Sequence, residues 1–97
     1  MAPKHQKPRR DKLEIIKVIL EHCQYIPKTT NSIINHCNLN FAPLKILLKE
    51  LETKQLITSR PLSSSRGIEW LTTKSGEEYV KTFYILLGML SVGVEVR

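Results

Sequence analysis

The stretch Asn38-Leu39-Asn40 separates two apolar-periodic runs and restricts this chain more than any other feature. Ile33, Ile34 and Cys37 precede it, and Leu44, Leu47, Leu48 and Leu51 follow it, both runs at the spacing of a helix with one buried face. A connection of this length joins two helices that cross rather than run side by side. Asn40 is placed to cap the second of them through its side-chain oxygen, with Pro43 in the first turn where its missing N–H costs nothing, so this helix is expected to start at Phe41 and reach about Lys54. Beyond it, Leu56 to Arg60 and Gly67 to Leu71 read as two short strands, with Ile68 and Trp70 alternating toward one face. Pro61 to Gly67 forms the loop between them, flanked by Arg60 and Arg66.

Setting Leu44 at the origin and advancing about 100° per residue puts Leu47, Leu48 and Leu51 within about 60° of it, on the core side. Ala42, Lys45, Ile46, Lys49, Glu50 and Thr53 fall on the opposite side. Lys45 and Lys49 lie one turn apart, at the right separation for neighbouring phosphates or a guanine edge, and Ile46 between them is placed for a thymine methyl. Arg60 and Arg66 suit a phosphate or a narrow minor groove. Asn40 and Pro43 complete the candidate contacts on this helix. The bland reading of the same residues is a solvated face with one isolated apolar side chain, which is common on protein surfaces.

Charge favours the first reading. The chain has 97 residues, a net charge of +6 and a sequence pI near 9.6, a balance that calls for an anionic partner, nucleic acid before a membrane surface. Residues 1–10 carry Lys4, Lys7, Arg9 and Arg10 with no acid and contain two prolines, so they read as an unstructured basic arm. Residues 11–72 form one small domain and residues 73–97 a terminal helix and tail. Within the domain, the first helix starts at Asp11 with Leu13, Ile16, Ile19, Leu20 and Cys23 inward, and Pro27 ends it. Thr29 or Thr30 then caps a short helix running to about His36.

The doublets His22-Cys23 and His36-Cys37 invite a zinc reading, but adjacent helical side chains diverge by about 100° and no spacing gathers four ligands. No metal and no cofactor is expected. Cys23 and Cys37 read as small buried apolar residues, with a disulfide as the alternative. No nucleophile–base pair, phosphate-cradling glycine loop or carboxylate cluster appears, so no catalytic residue is assigned and no small-molecule substrate is evident. The amino terminus lacks an apolar signal segment, and Thr82 to Val94, the most apolar uncharged run, is well short of the ~20 residues that cross a bilayer, so a cytoplasmic, nucleoid-associated protein without membrane contact is expected.

Thr73 is placed to cap the last helix. Val80, Phe83, Leu87, Leu90 and Val94 then recur at alternating spacings of three and four, a heptad seam widened by Tyr79, Leu86 and Met89. So apolar a helix on so small a domain implies burial in a homodimer, with Gly88 at a close approach or kink and the valine-rich residues 91–97 extended.

Lys12-Leu13-Glu14-Ile15-Ile16, Pro27-Lys28-Thr29 and above all Asn38-Leu39-Asn40-Phe41-Ala42 with Leu47-Leu48-Lys49-Glu50-Leu51 and Leu56-Ile57 resemble the small archaeal winged-helix proteins. That group includes the basic chromatin-associated proteins of Sulfolobus, which dimerise through a carboxy-terminal antiparallel coiled coil. Gln55 departs from the glycine that such chains commonly place at the end of this helix, and Leu47 replaces a frequent tyrosine. The resemblance implies a recognition helix over Phe41 to Lys54, a wing over Arg60 to Gly67, and double-stranded DNA bound by a dimer. The expected fold is therefore mainly α with a small β-hairpin: a winged helix-turn-helix with a carboxy-terminal dimerisation helix. The expected function is a chromatin architectural protein or transcription regulator of modest sequence selectivity, the alternative being a protein-interaction module of the transcription machinery.

Overall fold

The computed structural model describes residues 12–63 and 67–96, with side chains through residue 89. The order is α1 (Lys12–His22), β1 (Lys28–Thr29), α2 (Thr30–Cys37), α3 (Phe41–Thr53), β2 (Ile57–Pro61), β3 (Ile68–Thr72) and α4 (Lys74–Val96). The hairpin is thus part of a three-stranded antiparallel sheet in the order β1-β3-β2. Arg60 pairs with Glu69 and Ser59 with Trp70, while Lys28 pairs with Trp70 from the other side. Both hairpin strands begin and end one residue later than the sequence suggests, so that Ile57, at 1% exposure, heads β2 into the core.

Local chemistry explains each boundary. Thr29, in extended backbone, accepts from the Ser32 N–H at 3.2 Å and opens α2. That leaves the Thr30 hydroxyl to accept the Trp70 indole N–H at 3.0 Å. Asn38 closes α2 in the left-handed region (φ 56), where its short polar side chain is better tolerated than most. Asn40 occupies the N-cap position of α3, but its side chain makes no capping hydrogen bond, contrary to expectation. Thr73 does cap α4, accepting from Gly76 N–H at 3.1 Å. The carbonyls left open at the end of α1 are met from outside the helix: Thr72 donates its hydroxyl to Leu20 O at 2.6 Å and its N–H to Cys23 O at 3.0 Å, and Lys28 Nζ donates to His22 O at 2.7 Å. Thr72, the buried polar residue of the core, is thereby satisfied twice.

At the end of α3, Leu56 N–H bonds to Leu51 O and Gln55 N–H to Glu52 O, both at 2.9 Å, with Gln55 left-handed at φ 63. This is the arrangement that favours glycine at the residue Gln55 occupies. Gln55→Gly is expected to raise stability by roughly 1 kcal/mol, read as a higher midpoint in a denaturant or thermal melt.

The core joins the four helices and the sheet: Ile16, Ile19, Leu20 and Cys23 from α1, Ile33 and Cys37 from α2, Leu44, Leu48 and Leu51 from α3, Ile57 and Trp70 from the sheet, and Val80 from α4. Two placements from the sequence change here. Leu13 sits in the first turn of α1, beyond the reach of the core, and is 55% exposed. Val80, assigned to the dimer seam, is buried in the domain's own core, because α4 lies against α1 over its first turns. The valine-rich end is helical through Val96 rather than extended, since adding a residue to an existing helix needs no new nucleation.

Candidate nucleic-acid interface

The solvent face of α3 is as the angular arithmetic placed it. Leu44, Leu48 and Leu51 are buried and Leu47 is half-buried, while Ala42, Pro43, Lys45, Ile46 and Lys49 point away from the core. Asn40 is exposed just before the first turn, where the helix dipole is positive. Ile46 is 71% exposed, and Lys45 Nζ stands 5.6 Å from the centroid of the Phe41 ring, itself largely exposed.

The sheet lies beside this face, and the charge around it is more balanced than the sequence implies. Arg60 Nε is 2.6 Å from Glu69 Oε2, its cross-strand partner. Glu50 holds Lys12 at 3.2 Å, and Glu52 accepts the Ser59 hydroxyl at 2.7 Å with Lys49 at 3.9 Å. The cross-strand tether on Arg60 and the outward-facing Phe41 and Ile68 were not read from the sequence. The first depends on register, and the second on where the core stops. Lys4, Lys7, Arg9, Arg10 and Arg66 lie outside the described residues, as do the side chains of Leu90 and Val94.

Away from this face, His22 and His36 stack with ring centroids 4.0 Å apart and planes within 8°. His22 Nε2 is 3.0 Å from Ser32 Oγ. Burial holds the His22 imidazole below its ordinary value of 6.5, with the neighbouring His36 and then Lys28 acting in the same direction. A depressed folded value means that the unfolded chain takes up the proton first. This contribution to stability is therefore complete above pH 6.5 and is lost as pH falls below it. Thermal midpoints are expected to drop over that window, and a His22→Gln chain should show a shallower drop. The Cys23 thiol is pushed up to about 12, chiefly by burial. Cys23 and Cys37 are buried thiols rather than a disulfide, and among the described residues no three His, Cys, Asp or Glu side chains gather around a common point.

The fourth helix docks on α1 through Tyr79, whose hydroxyl donates to Leu13 O at 2.9 Å, and through Lys17, which lies 5.4 Å from the Phe83 ring centroid and 5.2 Å from that of Tyr84. Tyr84 donates to Glu21 at 2.7 Å. Past that junction Ile85, Leu86, Leu87 and Met89 are exposed, and among the described residues nothing beyond its own helix backbone comes within 4 Å of where a Gly88 Cβ would sit. Among the described residues no helix is long and apolar enough to cross a membrane.

Solved structures share this architecture at low identity. A variant of MepR from S. aureus superposes with a TM-score of 0.77 at 19% identity, covering 97% of this chain and 69% of that one. A second MepR variant, bound to an oligodeoxyribonucleotide, gives 0.76 at 18% identity, with 97% and 68% covered. ZitR of Lactococcus lactis, a zinc-responsive MarR family member, gives 0.64 at 20%, covering 93% of this chain and 62% of that one. No curated protein matches the chain. The winged helix-turn-helix family matches residues 9–90, which is nearly the whole sequence, and the chain belongs to that family.

Proposed function

We propose that this chain binds double-stranded DNA as a homodimer, acting as a transcription regulator or chromatin architectural protein of modest selectivity. The observation that carries this reading is the outward face of α3, where the exposed Lys45 and Lys49 stand one turn apart with Ile46 between them. The MepR variant bound to an oligodeoxyribonucleotide supports it by analogy of fold, and the resemblance to the Sulfolobus chromatin proteins supports the architectural form. Residues 1–10 and Arg60, Arg66 supply phosphate affinity by counterion release, and Asn40, Pro43, Lys45, Ile46 and Lys49 set the base preference. The exposed Leu87, with Phe83, Leu90 and Val94, forms the dimer seam, and Val80 supports it from within the domain.

Fluorescence anisotropy on duplexes across a salt series tests this. Deleting residues 1–10 should weaken binding to all sequences alike and flatten the log affinity against log salt slope by ~0.9 for each phosphate that the arm neutralises. Lys45→Ala with Lys49→Ala should instead reorder affinities among sequences, by ~1 to 3 kcal/mol per base contact. A double variant that binds every duplex like the parent would remove α3 from the interface. One discrete shifted band in a gel identifies a regulator, and a ladder on any fragment an architectural protein. Leu87→Asp should yield a monomer by light scattering, and a parent chain that is monomeric at high micromolar concentration would overturn the dimer.

A further inference from the structure

Between α3 and the sheet runs an open groove of about 810 Å³, whose floor is made by Phe41, Ala42, Ile46, Ile68 and Trp70. Phe41, Ile46 and Ile68 are 54%, 71% and 40% exposed, so three large apolar side chains face water on one small surface. A sugar-phosphate backbone gives such a floor little to pack against, and contiguous apolar surface of this kind marks a site for a partner that brings apolar side chains of its own.

The rim identifies that partner by charge. Glu50 is held by Lys12 at 3.2 Å, and Glu52 accepts the Ser59 hydroxyl at 2.7 Å. The rim carboxylates are thus already engaged within the domain. Lys45 leans over Phe41, and Lys49 keeps only a long contact of 3.9 Å to Glu52, with its side chain 79% exposed. What the groove presents outward is therefore an apolar floor with two cations one helical turn apart along one edge. Carboxylates one turn apart on a second helix have the same repeat. We infer that the groove between α3 and the sheet docks an amphipathic helix of a protein partner, apolar on the side facing Phe41, Ile46 and Ile68 and acidic along the flank facing Lys45 and Lys49. Because this is the face assigned to DNA, the docked helix and a duplex exclude each other, and the partner acts as a displacer. The groove carries this inference whether or not the same face binds DNA.

The test uses the full chain and a labelled synthetic peptide with leucines at i, i+3, i+4 and i+7 and glutamates one turn apart on the flank. Controls are the same peptide with lysines for the glutamates and a scrambled order. Trp70 is the chain's one tryptophan and lines the groove, so its fluorescence reports occupancy directly, beside peptide anisotropy. The acidic peptide should bind at least about tenfold more tightly than either control, a difference well resolved by titration. Ile46→Asp, at a site exposed enough to leave folding intact, should weaken it by a similar factor. Lys45→Glu with Lys49→Glu should reverse the preference in favour of the lysine peptide, which a misfolded chain cannot do. Equal binding of the three peptides, no binding, or indifference to Ile46→Asp would each overturn the proposal. A duplex titration on the same samples reports DNA affinity separately, so that either reading can fail while the other stands.

Discussion

A chain carrying Gly76→Ala is expected to lose on the order of 3 kcal/mol of stability or to fail to fold, through the addition of one methyl group. A Cβ at this buried position would stand 2.2 Å from Leu56 O and 2.5 Å from Thr72 Cγ2. The first of these is backbone, and it is held in place: Leu56 O accepts the Thr73 N–H at 3.1 Å, and Thr73 in turn caps the helix whose first turn contains Gly76. No rotamer change relieves the contact, so the start of α4 would have to lift from Leu56 and the end of β3. Circular dichroism melts of the variant should show the loss, and Gly88→Ala is the control, since among the described residues only its own helix backbone lies within 4 Å of that Cβ.

Trp70→Ala should cost about 3 to 5 kcal/mol, the range for removing a large buried aromatic side chain. Trp70 is 6% exposed and belongs to the central strand, flanked by Lys28 on β1 and Ser59 on β2. Its indole N–H also donates to Thr30 Oγ1 across 40 residues of chain. Trp70→Phe separates the two contributions. It keeps most of the ring and loses the hydrogen bond, so a loss of about 1 kcal/mol is expected. Urea melts followed by far-ultraviolet dichroism measure both.

The elements that the sequence disclosed are those with a period. Leu44, Leu48 and Leu51 repeat as a helix does, and their burial follows from that repeat alone. The strand β1 has no such signature. Lys28-Thr29 is too short to alternate, and only its pairing with Glu69 and Trp70 makes it a strand. Val80 shows the converse. It fits the heptad seam, but a period says that a side is buried and not against what, and here the domain itself covers it. The candidate interface was legible in the same measure. Lys45, Ile46 and Lys49 follow from helix geometry, whereas the Arg60–Glu69 pair requires the register and the groove requires the distance between helix and sheet. Asn40 had the right residue type for a side-chain cap, but its amide is not used for one. The free carbonyls at the carboxy-terminal end of α1 are met by Thr72 and Lys28, partners that no local pattern announces.

The position of β3 at the centre of the sheet bears on how the chain is made. During synthesis α1, α2 and α3 leave the ribosome before any strand has a mate, because β1 and β2 each pair with β3 and not with each other. Until Thr72 has emerged, Lys28-Thr29 has no ladder, the carbonyls of Leu20 and Cys23 have no donor from β3, and Trp70 is missing from the core. Val80 must follow before that core closes. Between the emergence of Thr53 and that of Val80 the nascent chain therefore carries its three helices as a loose assembly, and the stretch from Ile57 to Val80 converts them at once into a finished domain.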